Sequence, residues 1–387
     1  MELRKRLIQA IDDTIASNYE VWNLQSRIFD RISKCSNICL YGAGKFLRDT
    51  VKVVNPFQTY GIDVKYVCDS NEHMWGKYID IGTTESGSII SKEIISFEQL
   101  KRLKDCIVIV TVGNPKEIQI LLNQWGIENY KFGDLVLNVY TPHYDSAYFA
   151  ENKNKILEVY DLLADDKSRK IFTEVFCNSA APQLAKSSFA EIYEENEYFA
   201  TGIFNLIPEE ECIVDCGAYV GDSLEQYMNL FHNRVNKYYC FEFNNGTADI
   251  LQKVIDKYQN PDIKLIRAGV SDENKMIQIA DTSNMSSTKI ESADLIEARL
   301  VRLDDELKNE KVSYIKMDIE GEELAALRGA ETIIKNLQPK LAVSAYHFLS
   351  DLWEVPLLIH KFNKNYQIYF RHHTPVVWDT DCYAVMK

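Results

Sequence analysis

Ile213-Val-Asp215-Cys-Gly217-Ala-Tyr-Val-Gly221-Asp222 is an apolar run that ends in two glycines four positions apart, after which helical spacing begins near Ser223. A strand that stops on glycine and restarts as a helix opens an α/β unit, and in such sheets ligands sit beyond the carboxyl ends of the strands, where the strand order reverses. Glycine lets the backbone of such a loop approach a ligand closely, although plain turns use it too. Further short apolar runs follow at Tyr238–Glu242, Ile263–Ile266, Val312–Lys316 and Lys340–Ser344, most of them separated by helical stretches. That alternation predicts a parallel sheet. The last two runs, Tyr366–Phe370 and Tyr383–Met386, have no helical stretch between them and predict an antiparallel pair.

The residues that close these strands carry the chemistry. Glu242 ends the second strand 25 positions past Gly217, where a carboxylate accepts both hydroxyls of a ribose in nicotinamide and adenosylmethionine sites alike. The run Tyr314-Ile-Lys-Met-Asp318-Ile-Glu320 brings two carboxylates to the same edge of the sheet. Burying them without partners is costly, so a cationic ligand, a metal or a proton-accepting role would each account for them, whereas Glu322 and Glu323 read as helix N-terminal charges.

VDCGAYVGD at 214–222, YCFEFN at 239–244, VRLDDEL at 301–307, YIKMDIEGEELAALRGA at 314–330 and SAYHFLSDLWEVPLLI at 344–359 together resemble the FkbM-type methyltransferases, in order and over roughly residues 195 to 387. The resemblance implies a class I methyltransferase sheet of seven strands, S-adenosylmethionine as donor, and transfer to a hydroxyl oxygen of a sugar, glycan or related natural product. Carried over by position, Asp215, Gly217 and Gly221 line the methionine side, Glu242 holds the ribose, and Asp318 with Glu320 faces the reaction centre; Ala218 and Asp222 join all of these as donor-binding residues. Tyr219 stands where many methyltransferases carry glycine.

An aliphatic hydroxyl is a weak nucleophile at neutral pH, so the site needs a base or a metal besides alignment. His347, just past the strand ending at Ser344, is the preferred base, with a structural histidine as the plain alternative; His372 and His373 form a second candidate pair or exposed turn residues. A divalent ion on Asp318 is compatible with hard-cation preferences, but no ligand cluster in the sequence demands one. Trp353, Tyr366, Tyr369, Phe370 and Trp378 suit sugar rings, and suit a core at least as well.

The first half repeats the strand–turn–helix pattern. Asn37–Tyr41 runs into Gly42-Ala-Gly44, with helical spacing resuming at Phe46, Leu47, Thr50, Val51 and Val54; further strands at Val64–Cys68 and Cys106–Thr111 end in Asp69 and in Gly113-Asn114-Pro115. Asp69 lies 25 positions past Gly44, but Leu47 replaces the third glycine of a dinucleotide loop, and no Tyr-x-x-x-Lys pair follows. An NAD-dependent sugar-nucleotide dehydrogenase or epimerase is therefore the rival reading of this half, beside a module that binds a nucleotide, nucleotide sugar or partner without chemistry. A non-catalytic assembly protein is a third class.

The expected architecture is α/β with two doubly wound Rossmann-like domains: residues 1–140, led in by one or two helices, and residues 208–387, joined by a helical connector or cap at 141–207. Net charge of -14 with dispersed Lys and Arg disfavours a nucleic-acid partner. No apolar run suits a membrane span, the opening MELRKRLIQAIDDTI reads as an amphipathic helix rather than a signal, and nine scattered cysteines suit a reducing compartment, so a cytoplasmic location is expected. The pairs Cys35/Cys39 and Cys212/Cys216 sit in strand sequence and do not complete a metal motif.

Overall fold

The computed structural model describes residues 2–16, 28, 31–48, 62–83, 89–112, 115–132, 144–181, 184–280 and 295–387. Parts of the expected leading helices, the helical spacing from Thr50 to Val54, and Gly113 and Asn114 lie outside them. Among the described residues no helix is long and apolar enough to cross a membrane, and all nine cysteines are free thiols.

The first sheet contains β1 (Asn37–Tyr41), β2 (Val64–Cys68), β3 (Tyr78–Thr83), β4 (Ile89–Ile95), β5 (Cys106–Val110) and β6 (Glu128–Lys131) in the order β3-β4-β2-β1-β5-β6. All pairs are parallel except β3 with β4. β1 and β5 are apolar on both faces and buried almost throughout, as a central parallel strand requires. Helices near this sheet include Phe97–Arg102, started by a capping box between Ser96 and Gln99, and Lys116–Gln124.

The opening helix α1 (Glu2–Ala16) was expected to lead into this sheet, but it packs on the connector helices α2 (Ser146–Leu162) and α3 (Asp166–Ala180). Leu7, Ala10 and Ile11 form one apolar stripe on α1, and they join the core cluster that also holds Phe149, Ile156, Phe172 and Phe176 of the connector. A buried ion pair between Arg6 and Glu174 fixes the docking. Both connector helices start on aspartate caps, Asp145 to the Tyr148 amide at 2.8 Å and Asp165 to the Ser168 amide at 2.7 Å. The same cluster runs on into the second sheet, so the connector shares a core with it.

The second sheet is built from β7 (Cys212–Cys216), β8 (Lys237–Phe241), β9 (Ile263–Ile266), β13 (Tyr314–Met317), β14 (Lys340–Ser344), β15 (Tyr366–His372) and β16 (Thr380–Met386). Its seven strands run in the order β15-β16-β14-β13-β7-β8-β9. β16 is antiparallel to both neighbours and the rest are parallel, which agrees with the expected late antiparallel pair. Three strands the sequence reading passed over, β10 (Gly269–Val270), β11 (Lys275–Ala280) and β12 (Leu295–Val301), form a separate small sheet. Helices α4 (Asp222–Leu230) and α5 (Asn245–Tyr258) follow β7 and β8; α6 (Glu323–Gly329) follows β13, and α7 (Asp351–Phe362) connects β14 to β15. From β7 the chain first builds outward through β8 and β9, then returns to add β13 on the other side of β7. The order reverses there, so the crevice opens beyond the carboxyl ends of β7 and β13.

Candidate functional site

Gly217, the first residue past β7, has φ +76°, and Tyr219 and Gly221 follow at +44° and +94°. A Cβ on Gly217 would lie 1.9 Å from the Asp318 carbonyl oxygen, so glycine is what allows this loop to nest against the end of β13. The amides of Gly217 and Ala218 both donate to the Phe241 carbonyl, at 3.1 and 3.0 Å. Three strand ends are thereby locked together at the crevice. Ala218 is buried, and Asp222 is exposed in the first turn of α4.

The Asp215 carboxylate is fully buried, with the Lys316 ammonium 3.1 Å away and the Tyr238 hydroxyl donating at 2.9 Å, and Lys316 also donates to the Gly217 carbonyl at 2.8 Å. Burial pushes the Asp215 carboxyl up and Lys316 pulls it down; burial also works against the Lys316 charge, but Asp215 and Asp318 raise its pKa overall. Bonded at short range to an anion and a carbonyl, Lys316 stays charged, and the pair props the glycine loop from beneath. Asp215, at the end of a strand buried throughout, thus stands directly beneath the glycine loop. Lys316 was missed as a site residue; its signal was a lysine inside the otherwise apolar strand Tyr314–Met317.

Glu242, immediately past β8, is 7% exposed. Burial raises its pKa, while the backbone amides of Asn244, at 2.8 Å, Tyr219 and Phe243 donate to its carboxylate and lower it. The acid at the second strand end is thus tied to the glycine loop. Two large apolar side chains next to it, Tyr219 and Phe243, are exposed at 61% and 41%. Exposed aromatics flanking a crevice offer flat apolar surface to a ring.

Asp318 follows β13, on the far side of the loop. Its Oδ2 accepts from the Tyr198 hydroxyl at 3.3 Å and its Oδ1 from the Tyr346 hydroxyl at 3.1 Å, and its side chain keeps 26% exposure. Further acids crowd the same end. Burial and then the charges of Asp381 and Asp379 push the Glu197 carboxyl up, and burial with Asp318 and Asp379 does the same to Asp381, against the hydrogen bonds from Tyr383 and Ser344. Asp379 is pushed up to about 7, chiefly by burial. Glu197, Asp379 and Asp381 lie far from Asp318 in sequence, and nothing local in the sequence marked them.

His347 is 2% exposed and ringed by carboxylates: Glu323 Oε1 stands 3.2 Å from Nδ1, and Asp318 Oδ1 and Glu320 Oε2 stand 3.6 and 3.5 Å from Nε2. Burial disfavours a charged ring, but the hydrogen bonds to Glu320 and Glu323 and the charges of Glu323 and Asp318 outweigh it and push the pKa up to about 10. Both ring nitrogens face carboxylates, so this geometry does not fit the expected general base. Glu322 and Glu323 stand at the N-terminus of α6 as expected; Glu322 is exposed, whereas Glu323 is fully buried and its Oε1 accepts the Ile319 amide at 2.8 Å. Glu320 is exposed, with φ +58°.

The second histidine pair is buried rather than in an exposed turn. His372 Nδ1 meets Thr380 Oγ1 at 2.8 Å, and His373 lies between the Glu194 carbonyl at 3.0 Å and the Tyr383 hydroxyl at 2.8 Å. Burial lowers their pKa values to about 3 and about 4, which makes both neutral structural groups. Trp353, Tyr366 and Phe370 are core, so they offer no surface to a sugar, while Tyr369 and Trp378 are half-buried.

In the first sheet, Gly42 has φ +111° and a Cβ there would lie 2.5 Å from Val112 Cγ1. The Ala43 amide donates to Asp69 Oδ2 at 2.7 Å. The loop-to-acid bond seen at Tyr219 and Glu242 therefore recurs at the corresponding strand ends.

Residues 215–368 match the family model described as a methyltransferase FkbM domain. Among solved structures the chain is similar to the methyltransferase FkbM from Methylobacillus flagellatus KT, at 22% identity and a TM-score of 0.67, over 97% of this chain and 100% of that one. Looser likenesses extend over 47% of this chain. One is to an rRNA methylase from Streptococcus thermophilus, at 14% identity, TM-score 0.30 and 89% of that chain. Another is to Aeropyrum pernix fibrillarin in complex with natively bound S-adenosyl-L-methionine, at 11% identity, TM-score 0.30, over 47% of this chain and 70% of that one. No curated protein matches the chain.

Proposed function

We propose that the chain, whose residues 215–368 match the methyltransferase FkbM domain, transfers the methyl group of S-adenosylmethionine to a hydroxyl oxygen of a sugar, glycan or related natural product. The observation that carries the reading is the convergence of Gly217, Glu242 and Asp318 where the strand order reverses. The Glu242 carboxylate accepts the ribose hydroxyls, Tyr219 and Phe243 cover the adenine, and Gly217, Ala218 and Gly221 admit the methionine portion along the loop, with Asp222 at its outer end. Asp318, across the loop, receives the acceptor.

A hydroxyl donating to the Asp318 carboxylate presents its oxygen lone pair toward the donor's methyl carbon. The oxygen–methyl bond forms as the carbon–sulfur bond breaks, its electron pair goes to sulfur, and the hydroxyl proton passes to Asp318. His347 acts by holding Asp318, Glu320 and Glu323 in place. Calorimetric titration of the full chain with S-adenosylmethionine and with its demethylated product tests the donor; labelled methyl transfer to glycan pools tests the acceptor. Absence of heat and of thermal stabilisation with both ligands, in a folded sample, refutes the proposal.

For the first sheet, the Ala43–Asp69 bond supports a nucleotide or nucleotide-sugar module rather than a hydride-transfer site. Titration with NAD and NADP, followed by fluorescence, separates the two: hydride transfer there promotes the dehydrogenase reading.

A further inference from the structure

We propose that Asp318, Glu323 and His347 bind a divalent cation of the Mg2+ or Mn2+ kind beside the donor crevice, with Glu320 closing the site from solvent. The carboxylate oxygens of Asp318 and Glu323 and a ring nitrogen of His347 all lie within 4.8 Å of one another. Ligands held at about 2.1 Å from a cation stand roughly 3 Å apart when adjacent and about 4.2 Å apart when opposite. Small movements close this set.

A second observation points the same way. Glu323 is fully buried, its Oε1 is fixed by the Ile319 amide, and among the described residues its Oε2 has no hydrogen-bond partner. A buried anionic oxygen without a donor is costly, and a cation offsets that cost. The surroundings agree: Asp318, Glu320 and Glu323 all approach His347, at 3.2 to 3.6 Å, and concentrate negative charge at this point. Two carboxylates and an imidazole also form a mixed oxygen and nitrogen set that first-row divalent ions accept. The ligands come from the segment just past β13, from the start of α6 and from the segment after β14.

The catalytic use of this site rests on the methyl-transfer reading above. With Asp318 Oδ1 on the cation side, Oδ2 remains for the acceptor's proton. A coordinated acceptor hydroxyl loses that proton more readily, and the bonds made and broken are unchanged.

The test is a Mn2+ titration of the full chain without donor, read from the paramagnetic resonance of free Mn2+, with Mg2+ as competitor. One Mn2+ per chain is expected, released by Mg2+. His347→Asn and Glu323→Gln should lose the site, and Glu320→Gln, whose side chain is 78% exposed and whose replacement leaves packing alone, should weaken it by a factor of about three to ten. No Mn2+ retained by the wild type, or equal retention in wild type, Glu320→Gln and folded His347→Asn, overturns the proposal. Calorimetry with S-adenosylmethionine on the same samples separates it from the functional reading. Mn2+ binding without donor binding leaves the cation site standing and removes methyl transfer; donor binding without Mn2+ removes the cation site alone.

Discussion

Replacing Gly217 by alanine adds one carbon that would sit 1.9 Å from the Asp318 carbonyl oxygen, 3.0 Å from its carbon and 3.1 Å from Ile319 Cγ2. Ordinary contact begins near 3.4 Å, so about 1.5 Å of separation must be found. Neither side yields easily: the Gly217 amide is bonded to Phe241, its carbonyl to Lys316, and the Asp318 amide to Cys216. The left-handed φ costs alanine about 1 to 2 kcal/mol and the overpacking about 1 to 3 kcal/mol, so a loss of roughly 2 to 5 kcal/mol is expected. If the loop moves to relieve the clash, S-adenosylmethionine affinity should fall at least about tenfold, or about 1.4 kcal/mol. Guanidinium unfolding measures the first quantity and calorimetric titration the second. Gly44→Ala is the control, because an added Cβ there meets nothing within 4 Å, and it should change stability by less than about 0.5 kcal/mol. A Gly217→Ala protein within that same margin of wild type, with unaltered donor affinity, would refute the account of this loop.

Glu242→Ala should weaken S-adenosylmethionine binding by about 1.5 to 3 kcal/mol, the range for hydrogen bonds to a charged group, as read by calorimetry. Lys316→Met strands Asp215 in the sheet and should cost about 3 to 5 kcal/mol in denaturant unfolding, with part of the loss restored when Asp215→Leu is added. Because burial holds the His372 pKa down at about 3, the unfolded chain takes up the proton first. The stability this histidine contributes is complete above about pH 6.5 and is lost as the pH falls toward about 3, at most about 1.4 kcal/mol per unit, so His372→Gln should flatten the acid limb of a melting-temperature profile. Gly42→Val, just past β1 of the first sheet, should leave S-adenosylmethionine affinity unchanged, since its neighbours Thr111 and Val112 directly follow β5 of that sheet; a change of more than about threefold would mean the two halves are coupled.

The sequence by itself determined the strands that carry the crevice. Cys212–Cys216, Lys237–Phe241 and Tyr314–Met317 are mostly apolar runs that close on glycine or an acid, so their strand character and the placing of Gly217, Glu242 and Asp318 at one edge follow from local pattern. Strands Tyr78–Thr83, Ile89–Ile95 and Leu295–Val301 escaped because they mix polar and apolar residues, the first two as the antiparallel pair at one side of the first sheet and the third in a small separate sheet, where the periodicity is weak. Only the tertiary structure decided partners. Lys316 found Asp215, Tyr198 found Asp318 across 120 positions, Arg6 found Glu174 across 168, and His347 came to lie among three carboxylates. Hydrophobic spacing reports which face of an element is buried, but not what it is buried against. That depends on how the elements stack, and so the docking of α1 and the carboxylate surroundings of His347 were fixed by contacts between residues far apart along the chain.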